Sequence, residues 1–344
     1  MNVSSKPAIK KHASLKPVNT LHIDATADYW TEIGSPDDLL KVMDTDIFNH
    51  HAHFILGGGS NVLFAKDFHG LIIKNSLPGI TLISEDNRHA IIEVGAGVVW
   101  DDLVNYSLQQ GWGGLENLSM IPGLTGAAPI QNIGAYGVEL ESVFVSLEAI
   151  HLKTGRKEKF DKSMCRFGYR ESIFKTTKKG AYIITSITLA LSKQPELHLD
   201  YGNLRKELTA EGIVNPSIRD VSRAVRRIRS SKLPDPSEIG NAGSFFKNPV
   251  IPKDQFRQMQ EIHPDIPGFQ LADDRVKVPA AWLIERCGFK GKRMGDAGVH
   301  ERHALILVNY GNATGQELLE LARTIQEEVR GQFGIQLEPE VNIV

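Results

Sequence analysis

Seventeen consecutive residues, Ile121-Pro-Gly-Leu-Thr-Gly-Ala-Ala-Pro-Ile-Gln-Asn-Ile-Gly-Ala-Tyr-Gly137, carry no charge and interleave four glycines with three alanines. Backbone of this kind can come close to a large polar ligand, because glycine has no Cβ and bare N–H groups receive phosphate oxygens without any lysine. A second element, Gly57-Gly-Gly-Ser-Asn61, follows directly on the apolar Phe54-Ile55-Leu56. It is not a dinucleotide fingerprint, since Val62 stands where Gly or Ala is needed, nor a Walker loop, since no Gly-Lys-Ser/Thr follows. Alone it reads as an ordinary turn at a strand end, as does Gly95-Ala-Gly97. Two charge-free glycine turns together point to a cofactor with a pyrophosphate in its middle.

Four other stretches carry chemistry. Cys165–Lys175 interleaves Arg166, Arg170 and Lys175 with aromatics; it is either a solvated strand edge or a planar fork for a carboxylate. Arg219, Arg223, Arg226, Arg227, Arg229 and Lys232 form the strongest basic cluster, readable as a solvated helix face or as an attractor of an anionic substrate. Gly240-Asn-Ala-Gly-Ser-Phe-Phe-Lys-Asn-Pro249 looks like a wall facing a ligand, with a generic turn and strand as the alternative. Leu337-Glu-Pro-Glu-Val341 sets two carboxylates on opposite faces of an expected strand, so that one can point inward. His51, His53, His300 and His303 show no convincing partner and are read as surface or packing residues.

The elements that must position these groups are α+β in character, since strands and helices do not alternate regularly enough for a doubly wound sheet. Short apolar runs at Phe54–Leu56, Leu71–Ile73 and Ala90–Val94 predict strands, and Val99, Trp100, Leu103, Val104 and Leu108 a helix stopped by Gly111. Strands resume at Ser146–Leu152 and Ala181–Leu191, with Thr154-Gly155 as a hairpin turn. After about residue 205 helices dominate: a stripe of Ile218, Val221, Val225 and Ile228, then Ala280–Cys287, then a helix opened by the capping box Thr314-Gly-Gln-Glu317. Residues 215–333 thus read as a second domain, and 335–344 as a closing strand. Residues 1–17 have four lysines, no acid and no apolar core, and are expected to be a flexible tail.

The bulk numbers exclude much. A net charge of −2 argues against nucleic-acid or anionic-lipid binding, and no apolar run is long enough to span a bilayer. Two cysteines make no disulfide framework and no zinc spacing, which suits reduced thiols in the cytoplasm and predicts no metal.

Taken in order, these motifs resemble the bacterial UDP-N-acetylenolpyruvoylglucosamine reductases, the flavoenzymes that complete UDP-N-acetylmuramate for peptidoglycan. The resemblance runs from Leu15-Lys-Pro-Val-Asn-Thr20 to Glu340 and includes Lys232-Leu-Pro-Asp-Pro236. Leu199-Asp-Tyr-Gly-Asn-Leu204 is similar to the tyrosine loop of the larger subclass. It implies a two-lobed FAD domain of the vanillyl-alcohol-oxidase type at 18–205, with lobes split near 80–90. It also implies an α+β substrate domain at 215–333 and a strand carrying Glu340 back to the site. Non-covalent FAD would lie on Gly57, Gly58, Gly59, Ser60 and Asn61, and on Pro122, Gly123, Thr125, Gly126, Ala127, Asn132, Gly134, Ala135, Tyr136 and Gly137.

The resemblance further implies that NADPH binds, reduces the flavin and leaves, and that the enolpyruvyl nucleotide follows into the same pocket. Arg170 would hold the carboxylate and stabilise the enolate, Ser244 would protonate the enolate carbon, and Glu340 would assist. Tyr169, Tyr201, Lys232 and Asn248 are the expected substrate contacts. His303 stands where relatives carry an amide and is left unassigned. Glu340 lies four residues before Val344, in a stretch open to fraying. The enzyme is expected to be a monomer acting on small molecules. The competing readings are another FAD-dependent oxidase or dehydrogenase of the same fold, and a non-catalytic flavin- or nucleotide-sugar-binding protein.

Overall fold

The computed structural model describes residues 7–271 and 273–344, and the chain divides into two compact units. The first holds residues up to Ala13, 27–58 and 69–231; the second holds 14–26, 59–68 and 232–344. Residues 1–6 of the expected tail lie outside the described residues. Lys10–Ser14, assigned to the same tail, is instead a strand on the edge of a sheet. It is exposed and lysine-bearing, so no apolar alternation betrays it, and lysines are a common protection for such an edge.

In the first unit, Tyr182–Ser192 is the middle of a five-stranded antiparallel sheet ordered Lys157–Asp161, Phe144–His151, Tyr182–Ser192, His89–Gly95, Ile80–Glu85. Ile183, Ile184, Thr185, Ser186 and Ile187 are all buried, so this central strand is covered on both faces and shows no clean alternation. Ile150 faces Lys157 across the expected hairpin, and Gly155 supplies its left-handed residue at φ 68°. The helix Trp100–Gln110 buries Trp100, Leu103, Val104 and Leu108, places Asp101 and Asp102 in its first turn, and ends on Gly111 at φ 75°.

A second sheet of this unit runs Lys10–Ser14, Thr26–Ile33, Phe68–Asn75, Ala52–Leu56. Its last two strands are parallel, with Leu56 opposite Lys74. The arginine-rich helix Ile218–Lys232 falls almost wholly in the first unit, where Val221, Ala224, Val225 and Ile228 pack on Leu204 and Leu208.

The second unit is built on a sheet ordered Gly240–Ser244, Ile306–Asn309, Ala297–Val299, Arg293–Met294. The helix Gly315–Phe333 opens with the Thr314–Glu317 capping box and buries Leu318, Leu321, Ala322, Ile325 and Val329. In the closing segment only Asn342–Ile343 is regular strand, pairing in parallel with Val62–Leu63. Val344 N–H donates to Leu63 O at 2.9 Å and Val344 O accepts from Ala65 N–H at 2.8 Å, so the chain beyond Glu340 is pinned rather than frayed. Among the described residues no helix is long and apolar enough to cross a membrane, and no cluster of His, Cys, Asp or Glu could hold a metal ion.

Candidate active site

The first unit brings the two glycine elements together. A Cβ on Gly57 would meet the Ala127 Cβ at 3.7 Å, and one on Gly58 would lie 3.0 Å from the Gly123 Cα. Gly58 thus faces the backbone of Gly123 across a gap too narrow for a side chain, so the two glycine turns lie directly against each other. The N–H groups of Thr125, Gly126 and Ala127 are already donated to Val98, Ala96 and Leu124, at 2.8, 2.8 and 3.0 Å. Thr125 also gives its hydroxyl to Val98 O at 2.9 Å. These three residues form a fixed wall, with their N–H groups spent inside the chain.

Downstream of that wall, Gly134–Ala135 pairs with Val138–Glu139. Tyr136 at φ 50° and Gly137 at φ 82° are the two left-handed residues of the tight connection. A Cβ on Gly134 would come within 2.9 Å of Arg170 Nη1, and Arg170 Nη2 donates to Gly134 O at 2.5 Å. Arg170 thus lies flat on a glycine, its side chain only 19% exposed, with Glu139 at 3.9 Å. Tyr169 and Arg170 are the central residues of a turn closed by Gly168 and Glu171, and Arg170 takes φ 54° there. The Tyr169 ring stacks under the guanidinium at 5.4 Å. Asn132 is fully buried and committed to protein partners: its amide donates to Glu139 and Gly168 and accepts from Glu141 N–H. It fastens the arginine's surroundings, leaving backbone as its means of touching a cofactor.

Tyr201 is half exposed and sits over the hairpin tip, its Cβ 3.2 Å from where a Gly137 Cβ would be. Asn117 ties that tip to the chain before Tyr201 by donating to Tyr136 O and His198 O at 2.9 and 2.8 Å. The arginine helix divides by face. Arg223 and Arg227 pair with acids at the surface, and Arg226 forms a bidentate pair with Asp101 at 2.7 and 2.8 Å. Arg229 turns inward toward Tyr136 and Arg170; burial is the main influence lowering its pKa, with Tyr136 and Asp101 opposing. Periodicity cannot separate Arg229 from its neighbours in the basic cluster.

In the second unit, Gly59 at φ 66° has no room for a side chain, since a Cβ would fall 1.9 Å from Val18 O. Thr20 links this turn to the strand of the Gly-Ser motif. Its N–H donates to Gly59 O at 3.1 Å and its hydroxyl to Asn241 O at 2.6 Å, while its carbonyl accepts from Asn241 N–H at 2.9 Å. Asn19 braces the same loop through Leu15 and Ile23. Asn241 faces Val308 and Ser244 faces Ile306, so three steps on one strand match two on the other. Gly243, at φ 70°, takes up the extra residue of this bulge, a device that re-aims the next side chain. That side chain is Ser244.

Glu340 N–H donates to Phe245 O at 2.8 Å and Lys247 N–H to Glu338 O at 2.9 Å, which lays the C-terminal segment beside the serine. Glu338 is outward and pairs with Lys247, whereas Glu340 is half-buried, as opposite faces predict. Asn61 reaches the same place, its amide 3.4 Å from Glu340 O. Asn248 accepts from Ala280 N–H at 2.9 Å, turning its NH2 end to other partners, and Lys232 is exposed. His303 is held neutral, its pKa lowered by burial and then by Lys232. Burial pushes Cys165 up to about 12 and Cys287 to about 11, so neither thiol is a nucleophile at neutral pH.

The bulge is testable. An open space surrounds Gly243, so Gly243→Ala meets no clash, only the left-handed strain of about 1–2 kcal/mol. Denaturant titration is expected to show that loss, and turnover a larger one because Ser244 is displaced. Unchanged turnover in a destabilised variant would remove the bulge from the site.

Residues 235–344 match the family described as UDP-N-acetylenolpyruvoylglucosamine reductase, C-terminal domain, and residues 28–160 an FAD binding domain. The chain is 46% identical over 337 residues to the UDP-N-acetylenolpyruvoylglucosamine reductase of Flavobacterium johnsoniae, covering 98% of this chain and 99% of that one. It is 47% identical over 336 residues to the Amoebophilus asiaticus protein of the same name, with coverage of 98% and 99%. The crystal structure of UDP-N-acetylenolpyruvylglucosamine reductase from Thermus caldophilus is similar at a TM-score of 0.68 and 25% identity, over 98% of this chain and 99% of that one.

Proposed function

The chain belongs to the UDP-N-acetylenolpyruvoylglucosamine reductase family, and on that footing we propose that it reduces UDP-N-acetylglucosamine enolpyruvate to UDP-N-acetylmuramate in peptidoglycan precursor synthesis. The Gly57–Asn61 and Pro122–Gly137 elements would hold FAD, which, recharged by NADPH, would supply the hydride for the alkene carbon remote from the carboxylate. The chain's own residues do the rest. Arg170, fixed on Gly134, holds the carboxylate and faces the negative charge that develops as the enolate forms. Arg229 adds a second positive charge toward the same cluster. Ser244 gives its proton to the enolate carbon, and Glu340 supports it from the adjoining segment. Tyr169, Tyr201, Lys232 and Asn248 bind the remainder of the nucleotide.

The observation that carries this reading is the Gly243 bulge, which presents Ser244 on the strand against which Glu340 is hydrogen-bonded. A flavin oxidase of the same fold needs no such acid. Steady-state turnover tests the choice: NADPH consumption is expected to depend on the enolpyruvyl nucleotide, with little peroxide formed. Rapid peroxide production with a small alcohol would make the protein an oxidase. The same reading takes the enzyme as a cytoplasmic monomer, which light scattering on the purified protein checks.

A further inference from the structure

We propose that Lys74 is a positioning residue of the cofactor site, holding the Gly57–Gly58 peptide so that the Gly58 N–H points at the pyrophosphate and setting a positive charge behind a turn that has none. The inference rests on the reading of that turn as the pyrophosphate seat. Lys74 lies in the strand Phe68–Asn75, opposite Leu56, the last residue before the turn. Its ammonium donates to Gly57 O at 2.5 Å.

In a trans peptide the carbonyl of one residue and the N–H of the next point in opposite directions. All peptides described here are trans, so a cation fixed on the Gly57 carbonyl leaves the Gly58 N–H pointing away from Lys74, in the opposite direction within the peptide plane. A charged donor on the oxygen also polarises the peptide and strengthens that N–H as a donor. Gly58 itself closes on Gly123 across a gap too narrow for a side chain.

Two further observations favour this role over simple surface pairing. The N–H groups of Thr125, Gly126 and Ala127 are already engaged within the chain, so these three give no donor to an anion, and the Gly57–Asn61 turn is the donor this reading uses. Lys74 is also half-buried, and burial lowers its pKa, with Glu32 on the neighbouring strand opposing. An ammonium in such a place is costly to the fold unless it is used, and an anionic ligand nearby restores what burial takes away.

The test is titration of apoprotein with FAD, read by quenching of flavin fluorescence, together with the 31P spectrum of the bound pyrophosphate. Lys74→Met keeps the apolar stem and removes the charge; it is expected to raise the FAD Kd roughly tenfold or more and to shift the 31P resonances. Lys74→Arg keeps the charge and is expected to recover most of the affinity. Gly58→Val fills the slot itself and is expected to abolish binding. If Gly58→Val abolishes binding while Lys74→Met binds FAD like the wild type with unshifted 31P signals, the role of Lys74 is overturned and the seat stands. If Gly58→Val binds normally, the seat reading falls and the inference with it. Should Lys74→Met not fold, Lys74→Gln is judged by the same criteria.

Discussion

Ser244→Ala is expected to leave bleaching of the flavin by NADPH near the wild-type rate and to slow its return on adding enolpyruvyl nucleotide by about 10²–10⁴-fold, the usual worth of a positioned acid. The asymmetry follows from what each half-reaction asks of the protein. Taking hydride from NADPH creates no enolate, so removing a hydroxyl costs it nothing. Reducing the alkene leaves a carbon that has to be protonated, and on the proposed reading the Ser244 hydroxyl after the Gly243 bulge supplies that proton. A hydroxyl is a weak acid in water, so its use depends on the adjacent enolate and on the Glu340 segment beside it. Stopped-flow absorbance separates the two halves. Equal slowing of both would assign Ser244 to binding or folding instead.

Arg170→Ala is expected to cost the same half-reaction about 10²–10³-fold and to weaken the enolpyruvyl nucleotide, because it removes charge stabilisation where charge develops. Arg170→Lys should recover only part, since an ammonium lacks the planar fork that grips a carboxylate in two hydrogen bonds. Gly134→Ala provides an independent check. It keeps the arginine residue but drives a methyl to 2.9 Å from Nη1, 2.8 Å from the Glu139 Cγ and 2.9 Å from Val138 O, so the guanidinium and the hairpin both have to shift. The account expects Gly134→Ala to resemble Arg170→Ala in the second half-reaction while retaining flavin. Wild-type kinetics in both variants would remove Arg170 from the chemistry.

The motifs of the candidate site were legible because each sets a polar residue beside a backbone position that favours glycine. Gly59 against Val18, Gly134 under Arg170 and Gly243 before Ser244 are places where sequence composition records a contact or a left-handed residue. The helix Trp100–Gln110 and the capped helix Gly315–Phe333 were legible through period and caps. What stayed hidden depends on distant partners. Residues 14–26 and 59–68 group with 232–344, yet the pairing of Val62–Leu63 with Asn342–Ile343 is two residues long and has no pattern to read. Arg229 looks like Arg223 and Arg227 in sequence, and only the packing of its helix on Leu204 and Leu208 decides which guanidinium turns inward. The exposed edge strand Lys10–Ser14 was hidden for the opposite reason, having no buried face to mark it.

The most direct test of the account is an anaerobic absorbance trace of the purified protein, first with NADPH and then with UDP-N-acetylglucosamine enolpyruvate. The account predicts a flavin spectrum that bleaches with NADPH and returns rapidly with the nucleotide. A flavin that bleaches and stays bleached when the nucleotide is added would contradict it.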